Sequence, residues 1–374
     1  MRGARRLRRP KPGVNLVGYL NHVVGLGESA RQFAGALRAA GVPHACAAVD
    51  LGDHVPPLPG AEVAWLGEAE LPFEVTVLWV NPDRFGLDVE PAELPGRRLI
   101  GRWAWELAVL PDSWRAVAGG FSEIWTASAF VRDAVQKGVA VPVRVMPMAV
   151  SVPPVEPLDR RRWNVDPGHT LFLYLFDYHS TPARKNPLGL IDAFAAAFPD
   201  GSAATLLIKT INANHGGAAA AEIDAAAAHH SGIQVIDAPL SGPERLSLLA
   251  GCDCYVSLHR SEGFGMTIAE AMGYGRPVIA TDHGGSSEYL TEKTGYPVPC
   301  QLVEVGLTNH IYPADGVWAE PALETAARLM RELTAHPRDA GARARRAAKL
   351  IAKRYAPLRV GREAQRQLLR GSEV

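Results

Sequence analysis

The sequence predicts a two-domain α/β protein, each domain built on a doubly wound parallel sheet. Three observations lead there. Short β-branched runs alternate with Ala/Leu-rich helical patterns, which is the rhythm of strand–helix–strand units. The alternation occurs twice in succession. Between the two series stands Val152-Pro153-Pro154-Val155-Glu156-Pro157, a run that continues neither a helix nor a central strand. A length of 374 residues suits two domains of ordinary size.

The first series opens with a strand over 14–19, then Gly25-Leu26-Gly27 and a helix from about 28 to 40. Further strands are expected at 44–49, 75–80, 98–102, 123–126 and 143–146, with a helix at 128–136. The second series has strands at 171–176, 204–209, 233–236, 254–259 and 278–281, and helices at 188–198, 218–228 and 266–274. The basic tail over 338–370 is helical in pattern and broken near Pro357. The expected division is a basic arm at 1–12, domains at 13–155 and 156–355, and a C-terminal helix within 356–374 packing back on the first domain. Open α/β sheets bind ligands at the carboxyl ends of their strands, so a cleft between the domains is the expected site.

Composition excludes several classes. With 47% hydrophobic and 21% charged residues the chain is neither disordered nor collagenous. Thirty-nine Lys+Arg balance thirty-nine Asp+Glu, so no global basic field points to nucleic acid. Four cysteines without framework spacing fit a reducing cytoplasm, and Cys46 and the Cys252-x-Cys254 pair read as buried strand thiols. No run approaches the roughly 18–20 apolar residues that span a bilayer. The arm's Arg2, Arg5, Arg6, Arg8, Arg9 and Lys11 precede no apolar stretch, so it is no secretory signal.

Two glycine-rich segments bear chemistry. Gly25-Leu26-Gly27-Glu28-Ser29-Ala30 follows a strand and opens a helix, with Asp50 at the end of the second strand. That arrangement approaches a dinucleotide fingerprint, and equally suits a sugar or phosphate approaching the backbone at a helix start, or a plain turn. The stronger segment is Glu262-Gly263-Phe264-Gly265-Met266-Thr267-Ile268-Ala269-Glu270 after the strand ending near Leu258. Its glycines make a tight turn whose N–H groups, with the helix opening at Met266, favour an anion. Glu262 and Glu270 straddle that point. Carboxylates repel phosphates, so they suit neutral hydroxyls on either side.

This segment resembles the E-x7-E motif of family-4 retaining glycosyltransferases, which have the GT-B fold of two Rossmann-like domains. The continuation through Arg276-Pro277-Val278-Ile279-Ala280-Thr281 and Gly284-Gly285-Ser286-Ser287-Glu288 is similar too. Gly18-Tyr19-Leu20 with Gly25–Arg31, Trp103–Leu107, Glu123-Ile124-Trp125 with Ser128, Arg184–Pro187, Lys209–Asn212 and Trp318–Pro321 resemble segments of bacterial members that build glycans. The likeness runs over nearly the whole chain.

The resemblance implies a role for each matching residue. Glu262 would contact hydroxyls of the transferred sugar, and Glu270 the ribose of the nucleotide. The N–H groups of Gly263, Phe264, Gly265 and Met266 would hold the diphosphate. Lys185 would neutralise the departing nucleoside diphosphate, with Arg184 or Lys209 assisting. Gly25 and Gly27 would let donor phosphate or acceptor pack on the first (acceptor) domain. The second would be the nucleotide-sugar donor domain. One departure stands out: the Gly-Arg common in the family ahead of the lysine reads His179-Ser180 here.

Charge neutralisation by protein groups implies no metal and no other cofactor, and the chain contains no Asp-x-Asp. Glu106, expected on the cleft side of the first domain, could serve an acceptor hydroxyl, shield the reacting sugar, or simply start a helix. His22 could orient an acceptor and His179 could face the phosphates. His229-His230 ends a helix, where a cation suits the dipole.

The expected function is sugar transfer from a nucleoside-diphosphate sugar to a hydroxyl acceptor: a glycan, a lipid-linked glycan or a natural product. Two alternatives stand: a nicotinamide-dependent oxidoreductase using Gly25–Ala30 and Asp50, and a nucleotide-sugar epimerase or binding protein. The expected location is the cytoplasm, with the basic segments offering peripheral contact to an anionic inner membrane face.

Overall fold

The computed structural model describes residues 13–52, 55, 57–66, 70–201, 203–306 and 312–370. The arm expected over 1–12 lies outside them. The chain forms two compact units. One comprises the described parts of Met1–Trp105, Val109–Ala149 and Tyr355–Val374, the other Glu106–Ala108 with Val150–Arg354.

The first unit is a parallel sheet of β1 (Val14–Gly18), β2 (His44–Ala48), β3 (Val75–Trp79), β4 (Arg98–Arg102), β5 (Glu123–Thr126) and β6 (Val143–Val145) in the order β2-β1-β3-β4-β5-β6. The five residues of β1 are all buried, as expected where helices cover both faces of a parallel sheet. The helix Gly25–Ala39 lays Phe33 and Leu37 on the core, where Phe33 packs 4.8 Å from the Trp79 ring. Ser128 caps the helix Ala129–Gln136, its hydroxyl accepting from the Val131 N–H at 3.3 Å.

The C-terminal helix Pro357–Arg370 belongs to this same unit. Val360, Ala364 and Leu368 join the core that holds Phe33 and Trp79. Gly361 lies so close to Ala36 that a Cβ would collide with its carbonyl. Arg98 fixes the helix end, donating to the Leu368 carbonyl at 2.8 Å.

The second unit is a parallel sheet of β7 (Thr170–Asp177), β8 (Ala204–Ile211), β9 (Ile233–Asp237), β10 (Cys254–Ser257), β11 (Val278–Thr281) and β12 (Tyr296–Val298), ordered β12-β11-β10-β7-β8-β9. The chain winds outward from β7 through β8 to β9, then crosses to β10 on the other side of β7. The point where the winding reverses therefore lies between β7 and β10. An antiparallel hairpin of β13 (Cys300–Glu304) and β14 (Val317–Pro321) follows. The sequence pattern predicts neither this hairpin nor β12.

Three local readings need correction. Gly25, Leu26 and Gly27 are not a loop but the first turn of their helix. The preceding segment 19–24 turns the chain instead. Gly27 is needed there because a Cβ would strike the Tyr19 carbonyl. Cys252 ends the helix Gly242–Gly251 and precedes β10, so only Cys254 of the pair is in the strand. Both thiols are buried, and burial pushes Cys252 up to about 12. Glu106, expected in the first domain, groups with the second unit. Its side chain turns toward charged partners there.

Candidate active site

The charged cluster of the second unit gathers where the winding of its sheet reverses. Arg184 and Lys185 end the short helix Pro182–Lys185 that follows β7. Asn186 then takes a left-handed conformation, φ 54°, and caps the next helix, Pro187–Ala197, with its side chain. Its amide also donates to the Leu258 carbonyl at 2.9 Å, which ties this corner to the segment after β10. The two cations consequently face the residue that this second segment supplies, Glu262.

Lys185 forms an ion pair and hydrogen bond with Glu262 Oε1. Arg184 Nη1 lies 3.5 Å from the same oxygen and donates to the Ser261 carbonyl at 2.9 Å. On its other side Arg184 Nη2 is 4.0 Å from Glu106 Oε1. Glu106 Oε2 accepts from the Tyr312 hydroxyl at 2.6 Å. Burial acts to raise the Glu262 carboxyl, but Lys185 and Arg184 outweigh it and bring it down to about 2. For Lys185 burial wins: its ammonium is held below the usual lysine range although Glu262 opposes the shift. Arg184 is fully desolvated too, yet Tyr312, Glu106 and Glu262 push it above the ordinary arginine value.

The backbone under Glu262 is clamped. The Gly285 N–H donates to its carbonyl at 2.8 Å, and Gly284, at φ 86°, approaches so closely that a Cβ would collide with that carbonyl. Three residues earlier in the segment, His259 is wholly buried. The Ser257 hydroxyl meets its Nδ1 at 3.0 Å, and its Nε2 lies 3.3 Å from the His283 carbonyl, a fit for the neutral ring with the proton on Nε2. Burial brings His259 down to about 4.

The helix Met266–Gly273 starts immediately beyond, with Gly265 as its N-cap at φ 80°. The Tyr289 hydroxyl bonds the carbonyls of Phe264 and Gly265 at 2.5 and 2.8 Å, fixing the turn from below. Glu270 lies one turn into the helix and is completely buried. Arg245 holds it through both carboxylate oxygens, at 2.6 and 3.1 Å. Arg245 sits on the helix Gly242–Gly251, which starts with a capping box of Ser241 and Glu244.

The structure thus brings together Glu262, Lys185, Arg184 and Glu106, with Gly263–Met266 following Glu262 in the chain. It places Lys209 elsewhere. That ammonium donates to the Thr210 carbonyl at 2.5 Å and to the Ala238 carbonyl, and burial brings it down to about 8. His179 sits past the end of β7, its ring 4.5 Å from that of His215 and its Nδ1 3.1 Å from the Asn212 amide. His230 bonds the Phe198 carbonyl at 2.8 Å, a structural contact.

In the first unit, Gly25 has open space around it and Gly27 is buried. His22 Nδ1 lies 3.1 Å from the Val55 carbonyl, while its Nε2 accepts from the Leu51 N–H at 3.1 Å and lies 3.2 Å from Asp50. Arg31 donates to the carbonyls of Leu20 and His22 at 3.1 and 3.0 Å and pairs with Glu28, which ties down the turn before the helix.

Tyr312 and Arg245 are absent from the sequence-based site. The first lies on the hairpin that the pattern does not reveal. The second reads only as a polar position on a short helix, and nothing in its spacing points across to Glu270. Among the described residues no group of three or more His, Cys, Asp or Glu side chains is arranged to hold a metal ion.

Two doubly wound six-stranded sheets define the class of the molecule: it has the two-domain, Rossmann-like GT-B fold. Residues 178–311, which include Lys185, Glu262 and Glu270, match the family described as Glycosyl transferases group 1. Solved structures share the architecture over almost the whole chain. HepE of Anabaena, solved with UDP and glucose, is 15% identical, with a TM-score of 0.67 over 96% of this chain and 99% of its own. Sucrose-phosphate synthase of Thermosynechococcus elongatus is 15% identical, with a TM-score of 0.71 over 97% and 99%. A putative glycosyltransferase of Acidianus filamentous virus 1 is 49% identical over 47 residues, 13% of this chain. The chain spans only 15% of that viral relative's length.

Proposed function

We propose that the protein is a glycosyltransferase that moves a sugar from a nucleoside-diphosphate sugar to a hydroxyl acceptor, retaining anomeric configuration and using no metal. The observation that carries this reading is the Glu262–Lys185–Arg184 cluster, set just ahead of the helix that opens at Met266.

The geometry suggests an exchange of partners. In the structure the two cations neutralise Glu262. A donor diphosphate at the first turn of the Met266–Gly273 helix offers them a stronger anion. As they turn to it, Glu262 is released to accept hydrogen bonds from the sugar hydroxyls. Lys185 and Arg184 then stabilise the charge that grows on the leaving diphosphate, in buried surroundings where low dielectric strengthens the effect. Carboxylate oxygens accept more than one hydrogen bond each, so Glu270 can keep its Arg245 clamp and still receive a ribose hydroxyl.

Similarity to HepE supports UDP as the nucleotide of the donor, since that protein was solved with UDP and glucose. A lipid-linked acceptor at an anionic membrane face suits the helix Pro337–Tyr355, which exposes Arg338, Arg345, Arg346, Lys349, Lys353 and Arg354. No helix among the described residues is long and apolar enough to cross a membrane.

The test is a thermal-shift panel of UDP, GDP, dTDP, ADP and NAD(H), each with and without Mg²⁺. A ligand at about 100 times its dissociation constant stabilises by about 2.7 kcal/mol. The expected outcome is a shift with one nucleoside diphosphate, indifferent to Mg²⁺. A shift with NAD(H) alone would replace this reading by the oxidoreductase.

A further inference from the structure

Arg102 closes β4 in the first unit, and only 3% of it is exposed. Among the described residues no carboxylate lies within ion-pair distance of it. Its Nε has no hydrogen-bond partner among the described residues. Nη1 reaches the Trp125 carbonyl at a marginal 3.5 Å, and Nη2 meets the Met148 sulfur at 3.3 Å. A thioether is a weak acceptor. The guanidinium lies over the Trp79 ring, 4.9 Å from its centroid.

Arg98, four residues earlier on the same strand, shows what structural pairing looks like in this sheet. It donates to buried Glu123 at 2.6 Å, and Arg144 secures the other oxygen of that carboxylate at 2.7 Å. The register pairs Arg102 with Trp125, so the next same-face position on β5 after Glu123 supplies an indole and no charge. Burial brings Arg102 down to about 9 with nothing opposing it. A buried, uncompensated cation is expensive, and folds ordinarily pair it or replace it.

Its location is the second observation. This sheet reverses its winding between β1 and β3, and open α/β sheets take ligands at the carboxyl ends of strands at that point. Arg102 leans there. Trp79, beneath it, is the last residue of β3. The sulfur it touches also accepts from Ser29 at 3.3 Å, on the helix that follows β1. Met148 is partly exposed and unbranched, a cover that can rotate aside without moving backbone.

We infer that Arg102 anchors a phosphate-binding site in the first domain, its planar fork taking a phosphate oxyanion when Met148 swings away. The ligand is a phosphate group of a substrate. It comes from the donor nucleotide or from a phosphorylated acceptor, and only that attribution rests on the transferase reading.

The probe is inorganic phosphate, titrated into the full chain and followed by tryptophan fluorescence and thermal melting. Lys185→Ala removes a cation of the other domain's anion cluster and serves as the background. In it a saturable phosphate response is expected to persist, and adding Arg102→Met is expected to weaken it at least tenfold. If the Met variant fails to fold, Arg102→Lys, which keeps the charge but loses the fork, is read the same way. An unchanged response in the variant that folds overturns the site. Repeating the titration with a saturating nucleoside diphosphate separates the sources. Competition assigns the oxyanion to the donor, additivity to the acceptor. A nucleotide shift preserved in Arg102→Met shows the donor reading intact even where this inference fails.

Discussion

Each domain buries an arginine beside the point where its sheet reverses, and the two are treated in opposite ways. Arg184 in the second domain meets Glu262, Glu106, the Ser261 carbonyl and the field of Tyr312, and its charge is reinforced. Arg102 in the first meets an indole face, a thioether and a distant carbonyl, and its charge is weakened. Burial alone therefore says little about a cation. What surrounds it decides whether it is part of a neutral cluster that must be prised open by a ligand, or a single charge for which a ligand would be the counter-ion.

The contrast can be broken or sharpened by substitution. The largest effect is expected from Arg184→Met. It leaves Glu106 and Glu262 facing each other with less compensation, and loss of one partner of a buried ion pair typically costs about 3–5 kcal/mol. Urea unfolding measures it. A loss below about 1 kcal/mol would mean that the cluster is more hydrated than its burial indicates. Next comes Lys185→Ala, which should raise the activation barrier by about 2–4 kcal/mol, as loss of a group that stabilises developing charge does. Normal turnover would remove Lys185 from the chemistry.

Acid should act through His259, neutral and buried at about 4 against an ordinary 6.5. A depressed histidine contributes its full stability above pH 6.5 and loses it as pH falls toward 4, by about 1.4 kcal/mol per unit inside that window. Glu262 adds a further loss only below about 4.5, continuing toward 2. Unfolding free energies between pH 7.5 and 4.5 would show the first slope, and His259→Asn should flatten it. Tyr312→Phe removes one donor to a charged group, worth about 1.5 kcal/mol, and a double-mutant cycle with Glu106→Gln tests whether that energy belongs to the pair. The smallest change in stability is expected at Arg102→Met. Relief of an uncompensated buried charge is there offset by loss of a cation–π contact worth about 2 kcal/mol. An unfolding free energy clearly below that of the unaltered protein would show that Arg102 is a structural residue, as Arg98 is.

Much of the architecture was legible because parallel strands buried on both faces appear as short apolar runs. β4, β5 and β11 fall where their patterns place them, and other boundaries differ by one to three residues. Helix ends were legible where cap chemistry is local, as at Ser128 or at Pro357. The glycine segment 25–27 does not look helical in the sequence because glycines are sparse in helices. Here Gly27 is chosen for close approach to a carbonyl, a tertiary reason invisible in spacing. The hairpin of β13 and β14 is not legible because its strands alternate little, and Tyr312, between those strands, is hidden with it.

The sequence by itself determined the two α/β series, the proline-rich joint and the Glu262–Glu270 segment, since each rests on local pattern and on which residues tolerate a tight turn. Only the tertiary structure decided which charges meet. Glu106 and Glu262 are separated by a long stretch of chain and share Arg184, while Lys209, one of the cations the motifs group with Lys185, donates to carbonyls elsewhere. Charge pairing depends on distance and burial in space. Neither is a property of any window of sequence, and for that reason a paired Arg184 and an unpaired Arg102 look alike until the chain is folded.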